Sequence, residues 1–269
     1  MKVHHLDCAT MCPLGAPSVN RRGYLVGHCL LVETDRDGLV LVDTGIGTAD
    51  VDDPRGRLGR EFTALVRPRM GPSRTAVRQV EALGFATADV AHIVVTHLDV
   101  DHAGGLADFP EATVHVHSAE LDAARRPSLR ERTRYRDCQW AHGPRWQPFG
   151  TSGEEWFGFP AVRLLHGLDE SILVVPMPGH TRGHVLVAVR EQDRWWLHCG
   201  DAYFHEHTVD PRRPASGALL RVFEAATAMD RARVRDNHAR LRELSAVHGD
   251  EVRLFCAHDP DEFERALSL

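Results

Sequence analysis

The chain has 269 residues, 43% hydrophobic and 26% charged, a composition that suits one globular core and gives no sign of disorder or a fibrous repeat. Its formal net charge of -6 argues against a nucleic-acid footprint, and no run approaches the ~20 apolar residues of a membrane span. The N-terminus has no basic stretch followed by an apolar core, and six cysteines without a Cys-x-x-Cys pair read as reduced thiols, so the expected location is the cytoplasm.

In chain order, residues 3–6, 28–33 and 39–42 read as strands, with Asp35-Arg36-Asp37-Gly38 turning between the last two. Asp43-Thr44-Gly45-Ile46-Gly47 then breaks the third strand. Residues 48–74 are rich in Gly, Pro, Asp and Arg with little periodicity, so they read as a loop or lid with one short helix near 61–66. Ala76, Val77, Val80 and Leu83 fall at helical spacing before Gly84, and a strand over 90–95 follows. Residues 113–117 read as another strand, and 118–125 as a helix stopped by Pro127.

The arginines of 125–136 are diluted by Glu120, Glu131 and Asp137 and read as a solvated helix face. Over 128–160 the aromatic residues Tyr135, Trp140, Trp146, Trp156 and Phe157 stand among many Gly and Pro, which predicts a helical excursion and a loop able to wall a pocket. Four strand-like runs follow at 161–165, 171–175, 185–189 and 195–198. Helices over 216–229 and 231–247, a strand over 252–256 and a closing helix over 260–267 complete the chain. This order predicts an α/β fold with two sheets packed together and helices outside, as a single domain over 1–269.

Eighteen histidines are the compositional outlier. The run His97-Leu98-Asp99-Val100-Asp101-His102 places four potential metal ligands in six positions, directly after the apolar Ile93-Val94-Val95. More such groups follow other strands: His180 and His184, Gly200-Asp201, and Ala257-His258-Asp259. Strand ends in a packed sheet converge on one rim, and a His/Asp set without thiolates suits zinc, iron or manganese.

With these motifs, preceded by Asp43-Thr44-Gly45, the chain resembles the metallo-β-lactamase-fold hydrolase superfamily, in particular its lactonase and glyoxalase-II-like branches. The resemblance spans nearly the whole chain and implies a four-layer αββα sandwich with a dinuclear metal site on its rim. By position it implies His97 and His180 on the first metal, with Asp99 standing where the family usually has histidine. Asp101, His102 and His258 would hold the second metal, Asp201 would bridge both, Asp43 would orient a ligand, and His184 would buttress the His180 loop.

The implied cofactors are two divalent ions, zinc first, with iron or manganese favoured by the extra carboxylate of Asp99. Such a pair would activate water for cleavage of an ester or lactone in a small-molecule substrate, one of the N-acyl homoserine lactone kind included. Asp101 would move the proton to the leaving group, and Tyr203 would either donate to a substrate oxygen or lie buried as a core aromatic. His205 and His207 could reach the substrate, whereas His115-x-His117 is a weak metal signal. Substrate choice falls to 48–74, 128–160 and the Met11-Cys12-Pro13 loop, and the same loops could pair two copies as a homodimer. Two other readings stay open: a di-iron or mononuclear iron redox enzyme, motivated by Asp99, and a ligand sensor without turnover.

Overall fold

Alternation along the apolar strands sets the layers. Leu30, Val32, Val40, Val42 and Val94 form one cluster with Ile172, Val174, Val185, Val187, Val189 and Phe255. Their sequence neighbours Leu31, Leu41, Ile93 and Val114 turn the other way, onto Ala76, Val77, Val80 and Leu121. Leu173, Val175, Leu186 and Leu197 likewise turn onto Leu241 and Leu244. Strands covered on both faces have no polar side to show, which is why they read as continuous Val/Leu/Ile runs.

The computed structural model describes residues 1–15, 18–160, 162–163, 168 and 170–269. The first sheet has the strand order β1 (Lys2–Asp7), β2 (His28–Glu33), β3 (Leu39–Val42), β4 (Val90–Val94), β5 (Thr113–His117) and β6 (Arg145–Phe149). Its first three strands pair antiparallel and its last four parallel. A small hairpin joins β7 (Glu155–Trp156) to β8 (Phe159–Pro160). The second sheet runs β9 (Val162–Arg163), β10 (Ile172–Pro176), β11 (Val185–Glu191), β12 (Arg194–His198) and β13 (Val252–Phe255), with only β12 and β13 parallel. The expected strand over 161–165 is seen at Val162–Arg163, and residues 161 and 164–165 lie outside the described residues.

Helices cover both outer faces, completing the expected αββα sandwich. α1 (Thr48–Asp52), α2 (Pro54–Arg57) and α3 (Arg60–Leu65) replace the loop with a single helix expected over 48–74. Gly and Pro kept each one short, and Asp53 caps α2 by accepting from the Gly56 N–H. α4 (Ala76–Ala82), α5 (Val100–Ala103) and α6 (Ser118–Arg125) follow, then α7 (Ala218–Thr227), α8 (Arg231–His248) and α9 (Pro260–Leu267). No helix among the described residues is long and apolar enough to cross a membrane.

The region 128–160 departs most from expectation. It holds no α-helix, only turns, a 3-10 turn at Asp137–Gln139, the β7–β8 hairpin and the strand β6, whose Pro148 is tolerated because β6 is a sheet edge. Its aromatic residues pack inward where a pocket wall was expected: Tyr135, Trp140 and Trp146 on the core beneath the first sheet, and Trp156 and Phe157 on that of the second.

Candidate metal centre

The downstream ends of β3, β4, β10, β12 and β13 meet at one rim, and the loops after them supply the site. Asp43, fully buried just after β3, has a left-handed backbone (φ 58°), which Asp adopts more readily than most residues. Its Oδ1 accepts the Thr96 N–H at 2.7 Å, and its Oδ2 accepts the Thr96 hydroxyl at 2.7 Å and His102 Nδ1–H at 2.8 Å. Having donated to Asp43, the Thr96 hydroxyl accepts from His97 Nδ1–H at 2.9 Å. His258 Nδ1–H donates to the Val26 carbonyl at 2.8 Å. The partners thus fix one tautomer for all three rings, leaving each Nε2 lone pair aimed into the rim.

Asp201 stands where these nitrogens converge. A left-handed Gly200 (φ 51°) turns the chain out of β12, and the Asp201 N–H donates to His184 Nε2 at 3.0 Å. His184 in turn donates from Nδ1 to the Met177 carbonyl at 3.2 Å, so it buttresses Asp201 as well as the loop before β11. Asp201 Oδ1 lies 3.2 Å from His102 Nε2 and 3.1 Å from His258 Nε2. Its Oδ2 lies 3.3 Å from His180 Nε2 and 3.8 Å from His97 Nε2. Asp99 Oδ2 reaches the same pair, 3.1 Å from His180 and 3.4 Å from His97. Asp101 Oδ2 lies 3.7 Å from His258 Nε2.

Two groups that could hold a metal ion result: His97, Asp99, His180 and Asp201, beside Asp101, His102 and His258, with donor atoms in each group within 4.8 Å of one another. Four of their buried atoms, His97 Nε2, His102 Nε2, Asp99 Oδ1 and Asp201 Oδ1, have no hydrogen-bond partner. Buried polar atoms are rarely left so. Four of them at one point, from imidazole and carboxylate, are what divalent cations require, so these residues fit the metals expected from the sequence.

The electrostatics agree. Burial works against charge on both Asp99 and Asp201, yet Arg134 and His97 hold Asp99, and His258 and His102 hold Asp201, well below the usual carboxylate range. Burial opposes the charged form of His102 and His258 too, but the Asp201 carboxylate raises both. His180 goes down, through burial and the nearby Arg134.

Arg134 was not legible in the sequence as a site residue. One of its guanidinium nitrogens lies 2.6 Å from Asp99 Oδ2 and 2.9 Å from His180 Nε2, and another donates to the Thr227 carbonyl. Glu120, expected on a solvated face, is fully buried: it accepts from the N–H groups of Leu98 and Gly183 and from the Tyr135 hydroxyl, tying the two ligand loops together. Phe204 packs against the rings of His180 and His258, centroids 5.8 and 5.2 Å away.

Other candidates do not come to the site. Tyr203 is wholly buried and its hydroxyl donates to Glu262 at 3.0 Å, so the core placement is the one observed. His205 accepts the His207 N–H, and His207 donates to the Arg213 carbonyl; neither lines the cavity. His115 pairs with His92 across β4 and β5 at 3.0 Å, while His117 caps α6.

The ligand groups open into a cavity of about 530 Å³. Asp99, Asp101, His180, Asp201 and His258 line it, together with apolar side chains from three regions. Met11 and Pro13 come from the N-terminal loop, Leu58 from the turn between α2 and α3, Phe62 and Leu65 from α3, and Leu220 and Phe223 from α7. Two of the three segments expected to set substrate choice therefore line the cavity with apolar side chains. The third, 128–160, contributes arginines where aromatic residues were expected.

Known proteins share this fold. A solved structure of a B. thuringiensis AiiA variant, with N-decanoyl-L-homoserine bound at its active site, superposes at a TM-score of 0.70 and 22% identity, covering 100% of this chain and 96% of that one. The N-acyl homoserine lactonase AttM of Rhizobium radiobacter is 27% identical over 85% of this chain and 80% of its own length. A probable metallo-hydrolase of Mycobacterium tuberculosis is 49% identical over 267 residues, 99% of this chain and 83% of that protein. The family model of the metallo-beta-lactamase superfamily matches residues 22–245. Fold and sequence agree: this chain belongs to the metallo-β-lactamase superfamily.

Proposed function

We propose that the chain is a metal-dependent hydrolase that cleaves an ester or lactone with a dinuclear centre held by His97, Asp99, His180, Asp101, His102 and His258 and bridged by Asp201. The observation that carries this reading is the orientation of Asp201, whose two oxygens face two different pairs of imidazole nitrogens. When bound, the two ions would lower the pKa of a water between them and polarise the carbonyl to be attacked. The rest falls to the chain itself. Asp101, with its side chain 11% exposed at the cavity, would carry a proton from the attacking water to the leaving alkoxide. Met11, Phe62 and Phe223 exclude bulk water and give an acyl chain an apolar bed. The lactonase activity named for AttM supports a lactone or simple ester as substrate.

Zinc is the proposed ion. Asp99 adds a carboxylate, which alone would favour iron or manganese. Arg134, 2.6 Å away, offsets that charge, so the motive for a redox centre weakens. The test is metal content and turnover of an aryl ester and a γ-lactone by the parent protein and by Asp201→Ala. Close to two ions per chain with metal-dependent turnover is expected, both falling in the variant. Unchanged metal content in Asp201→Ala would remove the bridge and the mechanism with it.

A further inference from the structure

The hydrolase reading leaves one part of the cavity wall without a role. After α6, residues 128–136 run as turns in which alternate positions do different work. Glu131, fully buried, accepts from Arg182 at 2.7 Å and from the Ser128 N–H, and Tyr135 donates to Glu120; these two pin the run to the body of the protein. Arg130, Arg132, Arg134 and Arg136, at the positions between, all line the cavity. The expected helix face is instead a non-helical run, solvated as expected at Arg130 and Arg132, whose guanidinium groups border a substrate-sized space.

Their partners are few. Among the described residues Arg134 alone has a carboxylate, Asp99. Arg130 donates to the carbonyls of Ala226 and Ala228, and Arg136 to that of Gly56. Arg132 has no hydrogen bond or ion pair among the described residues. Outside the two ligand groups the cavity presents a single acid, Glu61, which pairs with none of them among the described residues. Guanidinium stays charged at every working pH and forms forked hydrogen bonds with planar or tetrahedral anions. Water answers the exposed Arg132 in the free protein, and an uncharged acyl lactone entering the cavity would give it no charged partner.

We propose that the natural substrate is an amphiphile with an anionic end group, a carboxylate or a phosphate, which seats on Arg132 and Arg136. Its apolar chain lies along Phe62, Leu65 and Phe223, and its ester or lactone carbonyl faces Asp201. The proposal rests on the hydrolase reading for the bond that breaks. Water adds across the acyl C–O bond, its oxygen to the carbonyl carbon and its proton to the leaving alkoxide, with no change of oxidation state. The anionic group itself is untouched.

Three probes of one chain length test this: nitrophenyl octanoate, the mono-nitrophenyl ester of octanedioic acid, and the nitrophenyl ester of ω-phosphooxyoctanoic acid. The metal-loaded protein is expected to favour at least one anionic ester over the neutral one by about tenfold in kcat/KM, as for a charge-assisted contact. That preference should shrink as salt rises from about 0.01 to 1 M. Which anionic probe is preferred separates carboxylate from phosphate. In Arg132→Gln/Arg136→Gln the ratio of anionic to neutral kcat/KM should fall toward one, and the corresponding double lysine variant should keep part of it. Equal kcat/KM for all three esters, or an unchanged ratio in the glutamine variant, overturns the proposal.

If no ester or lactone is turned over with any metal, the hydrolase reading fails by itself. The anion site is then judged by calorimetric titration with octanedioic acid monoamide and octanamide. Tighter binding of the acid, lost in the glutamine variant, supports it, and equal or no binding overturns it.

Discussion

Asp43→Asn is the substitution whose effect follows most directly from the geometry. Asn keeps the volume of Asp43 and tolerates its left-handed backbone. It does not keep the pattern: Asp43 accepts from three donors, Thr96 N–H, the Thr96 hydroxyl and His102 Nδ1–H, and an amide has one oxygen to offer them. With that oxygen on the Thr96 N–H, the amide N–H₂ faces His102 Nδ1. The ring can answer only by moving its proton to Nε2, which removes the lone pair aimed at Asp201. A hydrogen bond to a charged group contributes about 1.5–3 kcal/mol, which is about 10- to 150-fold in an equilibrium constant. Loss of the outer partner of a ligating histidine commonly costs about 10- to 100-fold in metal affinity, a concordant range. Zinc affinity is to be measured by competition with a chromophoric chelator at fixed pH, alongside thermal unfolding of the metal-free proteins to separate binding from folding. Affinity within about twofold of the parent, at equal metal-free stability, would refute the tautomer argument.

Three further outcomes are expected. Asp99→Asn leaves Arg134, with a side chain only 9% exposed, without its carboxylate; denaturant unfolding should show a loss approaching about 3 kcal/mol, and metal content should drop. Gly200→Ala forces a Cβ to 2.7 Å from His184 Nε2 on a left-handed backbone, so unfolding should come earlier and metal content should fall as Asp201 shifts; an unaltered protein would count against the turn as the cause of its placement. Burial, then the neighbouring Asp259, pushes Glu262 up from 4.5 to about 8. Folding therefore loses stability as pH rises from about 4.5 to 8, by about 1.4 kcal/mol per pH unit, because only the unfolded chain ionises there. Glu262→Gln has no such charge, so its stability relative to the parent should rise between pH 5 and 8, and parallel curves would contradict the burial argument.

What the sequence made legible is what local pattern encodes. Runs such as Cys29-Leu30-Leu31-Val32 and Val185 to Val189 are apolar at every position because both faces are covered, so strands, layers and the α/β class could all be read from them. The ligands were legible because His97 to His102 are packed in one loop and the others follow strand ends. Three-dimensional partnership was not. Arg134 meets Asp99 across 35 positions and Glu120 meets Gly183 across 63, and no periodicity carries such contacts. The arginines of 125–136 read as one solvated helix face because their spacing says nothing of the turns after Arg125 that Glu131 and Tyr135 anchor. Tyr203 lies two residues beyond Asp201, yet the chain turns it into the core before it can reach the cavity.

The rim also joins halves of the molecule that have little else in common there. His97, Asp99, Asp101 and His102 hang from the first sheet, whereas His180, Asp201 and His258 hang from the second, and the two rims are already stitched where Val185 donates to the Thr96 carbonyl and His28 to that of Ala257. Ions seated between them would act as rivets through two plates. Stripping the metal should then raise hydrogen exchange along the rim strands of both sheets together, well away from the ligands. The closing strand and α9 matter for the same reason: His258 lies between them, so a chain trimmed before β13 would lose a sheet edge and one side of its catalytic fastening in a single cut.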